Sequence, residues 1–141
     1  METIKAISVV AAIIYKGHKI LATQRGYGDY KDFWEFPGGK IESGETPEEA
    51  LVREIKEELL LDIDVEEYIT TVEYDYPKCH LSMKCYKCSI REGESPVLLE
   101  HESMKWLSMD ELDTVEWLPA DLEVIDRILM KYNTEDRSHA E

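Results

Sequence analysis

"GGKIESGETPEEALVREIKEELLL", residues Gly38–Leu61, is the stretch whose reading decides the fold. Inside it, Thr46-Pro47-Glu48-Glu49 is a helix start. Thr46 is an N-cap, Pro47 suits the first helical position, and Glu49 completes a capping box. The spacing predicts a helix over residues 47–59. At about 100° per residue, Leu51, Val52, Ile55 and Leu59 fall in one arc, the face for the core. Glu54, Glu57 and Glu58 fall in a second arc, because positions i, i+3 and i+4 share a helix face. Like charges so placed repel by roughly 0.2–0.5 kcal/mol per pair, and a helix selected for stability alone would interleave lysines. Converging carboxylates suit a hard divalent cation, which takes oxygen ligands, and small Ala50 leaves room beside them. The competing reading is a solvated acidic face. Glu48 and Glu49 need no site, since acids in the first turn favour the helix dipole. Arg53 is either an ordinary surface ion pair or the group that orients and partly neutralises the carboxylates.

Working outward, "IKAISVVAAIIY" and "HKILATQR" read as two strands around Lys16-Gly17-His18, a hairpin with a four- or five-residue loop. "GYGDYKDFWEFPGG" is irregular, with Pro37 holding Phe36 extended. After the helix, "DIDVEEYITTVEYDY" and "HLSMKCYKCSI" pair as antiparallel strands, and "SMKWL" is a last short strand. Ser108 and Glu111 box the start of a short helix. "LPADLEVIDRILMKY" repeats apolar residues at Leu118, Leu122, Ile125, Leu129 and Tyr132, a helical stripe. The expectation is one α/β domain over residues 1–132, with a mostly mixed sheet and two main helices. A polar, flexible tail is expected over residues 133–141.

Composition sets outer bounds. A chain of 141 residues, 43% hydrophobic and 33% charged, can bury its own core. No apolar run reaches the roughly 18 residues that span a bilayer. "METIKAISVVAAIIY" is broken by Lys5 and Ser8 and lacks a cleavage pattern, so it reads as a strand and not as a leader. The net charge of −15 argues against a grip on a nucleic-acid polymer, which needs a basic stripe. It still admits a small phosphorylated substrate when divalent cations reverse the local field. Three cysteines form no disulfide framework and point to a reducing cytoplasm. Cys85 and Cys88 form a CxxC, but strand positions three apart face opposite sides and no second pair completes a tetrahedral set. They read as packing. His18 in a turn, His139 in the tail, and His80 and His101 at the surface or in strands show no nucleophile to serve.

Gly39, Glu45, Arg53-Glu54, Ile55, Glu57-Glu58 and Leu61 follow the pattern G-x5-E-x7-R-E-U-x-E-E-x-G-U, with U a bulky aliphatic. In this the chain resembles the Nudix hydrolases. "ATQR", "WEFPGGKIESGETPEEALVREIKEE" and "LPAD" extend the resemblance to the MutT-like branch, from about Ile7 to Met130. The resemblance implies a Nudix-type α/β/α sandwich with a mixed β-sheet. It also implies magnesium or manganese, and hydrolysis of a nucleoside triphosphate to the monophosphate and pyrophosphate. Carried onto this chain, Glu54, Glu57 and Glu58 are metal ligands, with the backbone around Gly39 as another. Glu100, six residues before Trp106, matches an additional glutamate that serves as a second-metal ligand or general base. Glu54, Glu57, Glu100 and Arg53 form the catalytic set, and Arg25 and Lys40 contact substrate phosphates.

Asp121 stands where MutT-like proteins place a base-reading residue. An ionised aspartate only accepts hydrogen bonds and so suits a base edge rich in donors, such as the cytosine amine. The overall likeness favours cytidine triphosphates, and 8-oxo-guanine nucleotides are the alternative. Tyr27, Tyr30, Phe33 and Trp34 are candidates for stacking, at least two of them for packing instead. The partner is a free nucleotide, with no membrane, and the chain is a monomer or homodimer. A nucleotide-binding module that has lost hydrolysis is the rival function. One position departs from the pattern: Leu60 replaces a glycine that ends the helix in a left-handed conformation. Either Leu60 tolerates that conformation or the helix ends differently.

Overall fold

In this computed structural model, residues 4–139 are described, with side chains through residue 133. Strand β1 (Lys5–Lys16) is the one on which the rest assembles. Its side chains alternate between the two sheet faces, as the pleat requires. Val10, Ala12 and Ile14 enter one core cluster, while Ala11 and Ile13 enter the other. One edge of β1 pairs in parallel with β6 (Cys79–Ile90) along almost its whole length. The other edge is shared. Val9 to Ala11 pair with β4 (Gly38–Lys40), and Tyr15 and Lys16 pair with β2 (Lys19–Gln24). Strand β2 also pairs with β3 (Trp34–Glu35) and with β7 (Ser103–Ser108). Strand β5 (Ile63–Tyr76) forms a long hairpin with β6, and the result is a mixed seven-stranded sheet.

Helix α1 (Pro47–Leu59) covers one face, burying Leu51, Ile55 and Leu59. Its bounds are those the capping box predicts, and both arms of that box are made. Helix α2 (Pro119–His139) covers the opposite face, burying Val124, Ile125 and Ile128. The expected α/β/α sandwich is therefore observed. A 3-10 helix, Met109–Thr114, follows Ser108 with its own capping box. No helix among the described residues is long and apolar enough to cross a membrane.

Several local expectations change. The β1–β2 loop is two residues, Gly17 and His18, because Lys16 already pairs with Lys19. Gly17 at φ +63 supplies the left-handed position such a tight turn needs. The segment read as irregular contributes two short strands, β3 and β4. Val52 is exposed, because the buried arc of α1 is narrower than the apolar one. On α2, Leu122 and Tyr132 are exposed, and Val124 and Ile128 are buried instead. The sheet meets a face of α2 rotated from the stripe that periodicity marks. The α2 backbone continues to His139, and the last two residues of the expected tail lie outside the described ones. Cys85 and Cys88 are buried in opposite clusters, as their spacing in a strand predicts. Burial raises both thiols, Cys88 to about 12, so neither is a thiolate.

Candidate active site

Two clefts meet at Arg25, Glu35 and Gly38. The larger, about 640 Å³, runs over the β1–β4 seam between the 25–36 segment and the start of α2. Arg25, Tyr30, Phe36, Gly39, Lys40, Tyr76, Met83 and Asp121 are among its walls. The smaller, about 240 Å³, is lined by the Gly26–Gly28 turn, Glu58, Glu100 and His101 together with the three shared residues. The clefts form here because β1 changes partner. Where β4 leaves it, the Gly38–Gly39 backbone lies directly on Val10 and Ala11, and a Cβ on Gly38 would overlap the Val10 carbonyl.

Arg53 organises the acidic face of α1. Its Nε and Nη2 donate to the two Glu45 oxygens at 2.7 and 2.9 Å. Nη1 reaches Glu54 at 2.9 Å and Glu57 at 3.3 Å, and Nη2 also reaches the Lys40 carbonyl at 3.0 Å. This bidentate geometry suits a guanidinium and no other side chain. It holds the Glu45 carboxyl down to about 2 and fastens the glycine strand to the helix. Glu54 is raised by burial, with Arg53 working against that and Glu57 and Glu100 adding to it.

Glu58 is the telling carboxylate. Its Oε2 is buried without a hydrogen-bond partner. Burial, then Glu54, Glu100 and Glu35, push it up to about 8. A carboxyl crowded by carboxylates and short of a donor is one whose charge a cation would complete. Gly39 belongs to the same cradle, since a Cβ there would overlap the Glu54 carboxyl. The donor set, all oxygen, suits a hard divalent ion. Among the described residues no three of these side chains converge on one point, with Arg53 holding Glu54 and Glu57 to itself. Glu57 and Glu100 are exposed, Glu100 on the loop that runs beside the end of α1. That loop is tied there by the Val97 and Leu99 amides, which donate to the Leu59 and Glu58 carbonyls.

In the wall of the larger cleft Asp121 is 4% exposed, and its Oδ1 accepts the Phe36 amide at 3.0 Å. Burial, with Glu35 adding to it, raises its carboxyl to about 8. This shift favours the protonated form, which donates as well as accepts, over the ionised acceptor expected from the sequence. Tyr30 packs edge-on against Phe33 and Tyr76, and Trp34 is buried in the core. Tyr27 is exposed at the smaller cleft.

Two residues at the junction escaped the sequence reading. Glu35 takes Arg25 Nη2 and Nε on its two oxygens at 3.2 and 3.4 Å. Burial would raise Glu35, but His101 and Arg25 outweigh it and hold the carboxyl below its usual range. His101, expected at the surface or in a strand, is instead packed behind Glu35 with its side chain 9% exposed. Their only local signals were adjacency to the glycine pair and to Glu100. His80 is on the surface of β6, between Asp75 and Glu73. Leu60 does adopt the left-handed conformation, φ 50 and ψ 40, with its amide donating to Lys56.

Known proteins share this arrangement. The NUDIX domain family matches residues 5–131. The chain is 33% identical to CTP pyrophosphohydrolase of Escherichia coli strain K12, over 89% of this chain and 93% of that one. It is 37% identical to 8-oxo-dGTP diphosphatase of Haemophilus influenzae, with the same coverage of each. Among solved structures, the E. coli ORF135 protein superposes with a TM-score of 0.77 at 32% identity, covering 90% of this chain and 91% of that one. A MutT NUDIX hydrolase from Burkholderia pseudomallei has the same fold, with a TM-score of 0.80 at 24% identity over 88% and 98%. With a family match over nearly its whole length and an oxygen-donor cradle at the family's signature, this chain belongs to the Nudix hydrolases, which work with a divalent metal ion.

Proposed function

We propose that the protein is a magnesium- or manganese-dependent nucleoside triphosphate pyrophosphohydrolase, most active on (d)CTP or a modified cytidine nucleotide. The observation that carries this reading is that the cleft lined by Asp121, Arg25 and Lys40 joins, at Arg25, Glu35 and Gly38, the cleft lined by Glu58 and Glu100. That arrangement suits a base at Asp121, phosphates at Arg25 and Lys40, and metal-bound oxygens at α1. Glu54, Glu57, Glu58 and Glu100, with the Gly39 backbone, would hold the ions. Bound there, a divalent ion neutralises phosphate charge and acidifies the attacking water. The chain's own residues position: Arg53 aligns Glu54 and Glu57, and Arg25 orients phosphate oxygens. Water adds to a phosphorus of the triphosphate, and pyrophosphate leaves from the nucleoside monophosphate.

A protonated Asp121 pairs with an edge that offers a donor beside an acceptor. Cytosine presents its N4 amine beside N3. On its N7 side guanine presents two acceptors, O6 and N7, whereas oxidation at C8 puts a proton on N7 and makes that edge a donor beside an acceptor. The second reading, an 8-oxo-dGTP diphosphatase, draws on the same property of Asp121 and on the Haemophilus relative. A panel of ordinary, methylated and oxidised nucleoside triphosphates with Mg2+ or Mn2+, scored for pyrophosphate against phosphate release, separates the two. Fastest pyrophosphate release from CTP or dCTP supports the first. Fastest release from 8-oxo-dGTP supports the second. Binding without turnover of any of them would leave a nucleotide-binding module and overturn both.

A further inference from the structure

His101 is not used by the reading above, yet it is built into the junction of the clefts. Its Nε2 lies 3.6 Å from Glu35 Oε2, and its Nδ1 is buried with no hydrogen-bond partner. A buried polar nitrogen left unpaired costs about 1–3 kcal/mol, which a purely packing side chain would not incur. The ring forms a wall of the smaller cleft beside Glu100 and Arg25. With Nε2–H directed at the Glu35 carboxylate, Nδ1 remains as an acceptor.

Glu35 links this ring to the substrate side. Its two oxygens receive Arg25 Nη2 and Nε, and Arg25 Nη1 donates to the Asp29 carbonyl at 3.1 Å. The Arg25 side chain is 37% exposed and borders both clefts, so its direction depends on Glu35. Held from two sides, Glu35 cannot rotate without giving up one partner. Without His101, Arg25 alone among the described side chains would restrain the Glu35 carboxylate.

We propose that His101 is a positioning residue for substrate phosphate: through Nε2 it braces Glu35, and Glu35 holds the Arg25 guanidinium where the two clefts meet. The proposal rests on the nucleotide-phosphate reading of the clefts.

The test compares His101→Gln, His101→Asn, Arg25→Ala and Arg25→Ala/His101→Asn. Glutamine places an N–H near the position of Nε2 and keeps the brace; asparagine is too short to do so. Each variant is measured for KM and kcat on the triphosphate turned over by the native enzyme, and for Kd of its α,β-methylene analogue by calorimetry. His101→Asn is expected to raise KM and Kd about tenfold with kcat changed less than about threefold, and His101→Gln to stay within about threefold of native. In the Arg25→Ala background His101→Asn should add less than about a twofold change, because the two act as one unit. Equal losses for Gln and Asn would overturn the proposal, as would full multiplication of the effect in the Arg25→Ala background. So would a fall in kcat at unchanged KM. If His101→Asn fails to fold, His101→Leu, which fills the site without an N–H, takes its place: a tenfold rise in KM and Kd beside a native-like His101→Gln supports the brace, and equal values for the two overturn it. If the native protein turns over no nucleotide, the functional reading fails first, and that outcome is distinct from any of these.

Discussion

Oδ1 of Asp121 accepts the amide hydrogen of Phe36 at 3.0 Å, joining residues 85 apart in the chain. This one bond ties the first turn of α2 to the segment between β3 and β4, and both residues line the larger cleft.

The bond and the burial together predict how stability depends on pH. The Asp121 carboxyl rises from an ordinary 3.8 to about 8 in the folded chain. Between those values the folded chain keeps a proton that the unfolded chain has lost. Its contribution to stability is therefore full below about pH 4 and is lost as pH rises through about 8. Asp121→Asn, which retains the acceptor for Phe36, should flatten this part of the profile in denaturant unfolding across pH 5–9. Asp121→Ala leaves the Phe36 amide unpaired and should cost about 1–3 kcal/mol at every pH. An unchanged slope in the asparagine variant would contradict the assignment.

Glu58 predicts linkage between metal and proton. Its carboxyl stands near 8 in the protein without bound cation, so occupying it displaces a proton. Apparent affinity for Mn2+ should rise with pH, by up to about tenfold per unit below that value. Glu58→Gln should remove this dependence as well as weaken binding. Calorimetry in two buffers of different ionisation enthalpy counts the released proton directly.

The adjacent glycines should fail in different ways when a methyl group is added. In Gly39→Ala the new Cβ would meet the Glu54 carboxyl, the movable end of a side chain. The fold should survive, with turnover reduced on the order of 100-fold by the displaced carboxylate. In Gly38→Ala it would meet the Val10 carbonyl and the Ala11 Cα, which are backbone. That variant should lose about 1–3 kcal/mol of stability by forcing β4 away from β1. Circular dichroism melts beside pyrophosphate release distinguish the two.

Leu60 carries a strain that glycine would relieve. It is exposed and holds φ 50, a conformation that costs a residue with a Cβ about 1–2 kcal/mol. Part of that relief is offset because glycine gains more freedom in the unfolded chain. Leu60→Gly is therefore expected to be neutral or to stabilise by up to about 1 kcal/mol, with kcat and base preference unchanged. The candidate carboxylates are at least two residues earlier on α1, so a large loss of turnover would contradict this account.

What the sequence alone determined are features whose causes lie within a few residues. The capping box at Thr46 and Glu49 set the start of α1, and the i, i+3, i+4 spacing put Glu54, Glu57 and Glu58 on one side. Pleat alternation sorted β1 between two cores and sent Cys85 and Cys88 apart. Only the tertiary structure decided which face of α2 meets the sheet, burying Val124 and Ile128 and leaving Leu122 and Tyr132 outside. It alone buried Asp121, raising its carboxyl, and gathered Glu35, Arg25 and His101 at one junction. The physical reason is range. Caps and periodicity act along the chain, whereas desolvation and hydrogen bonding depend on neighbours that the packing of distant elements brings together.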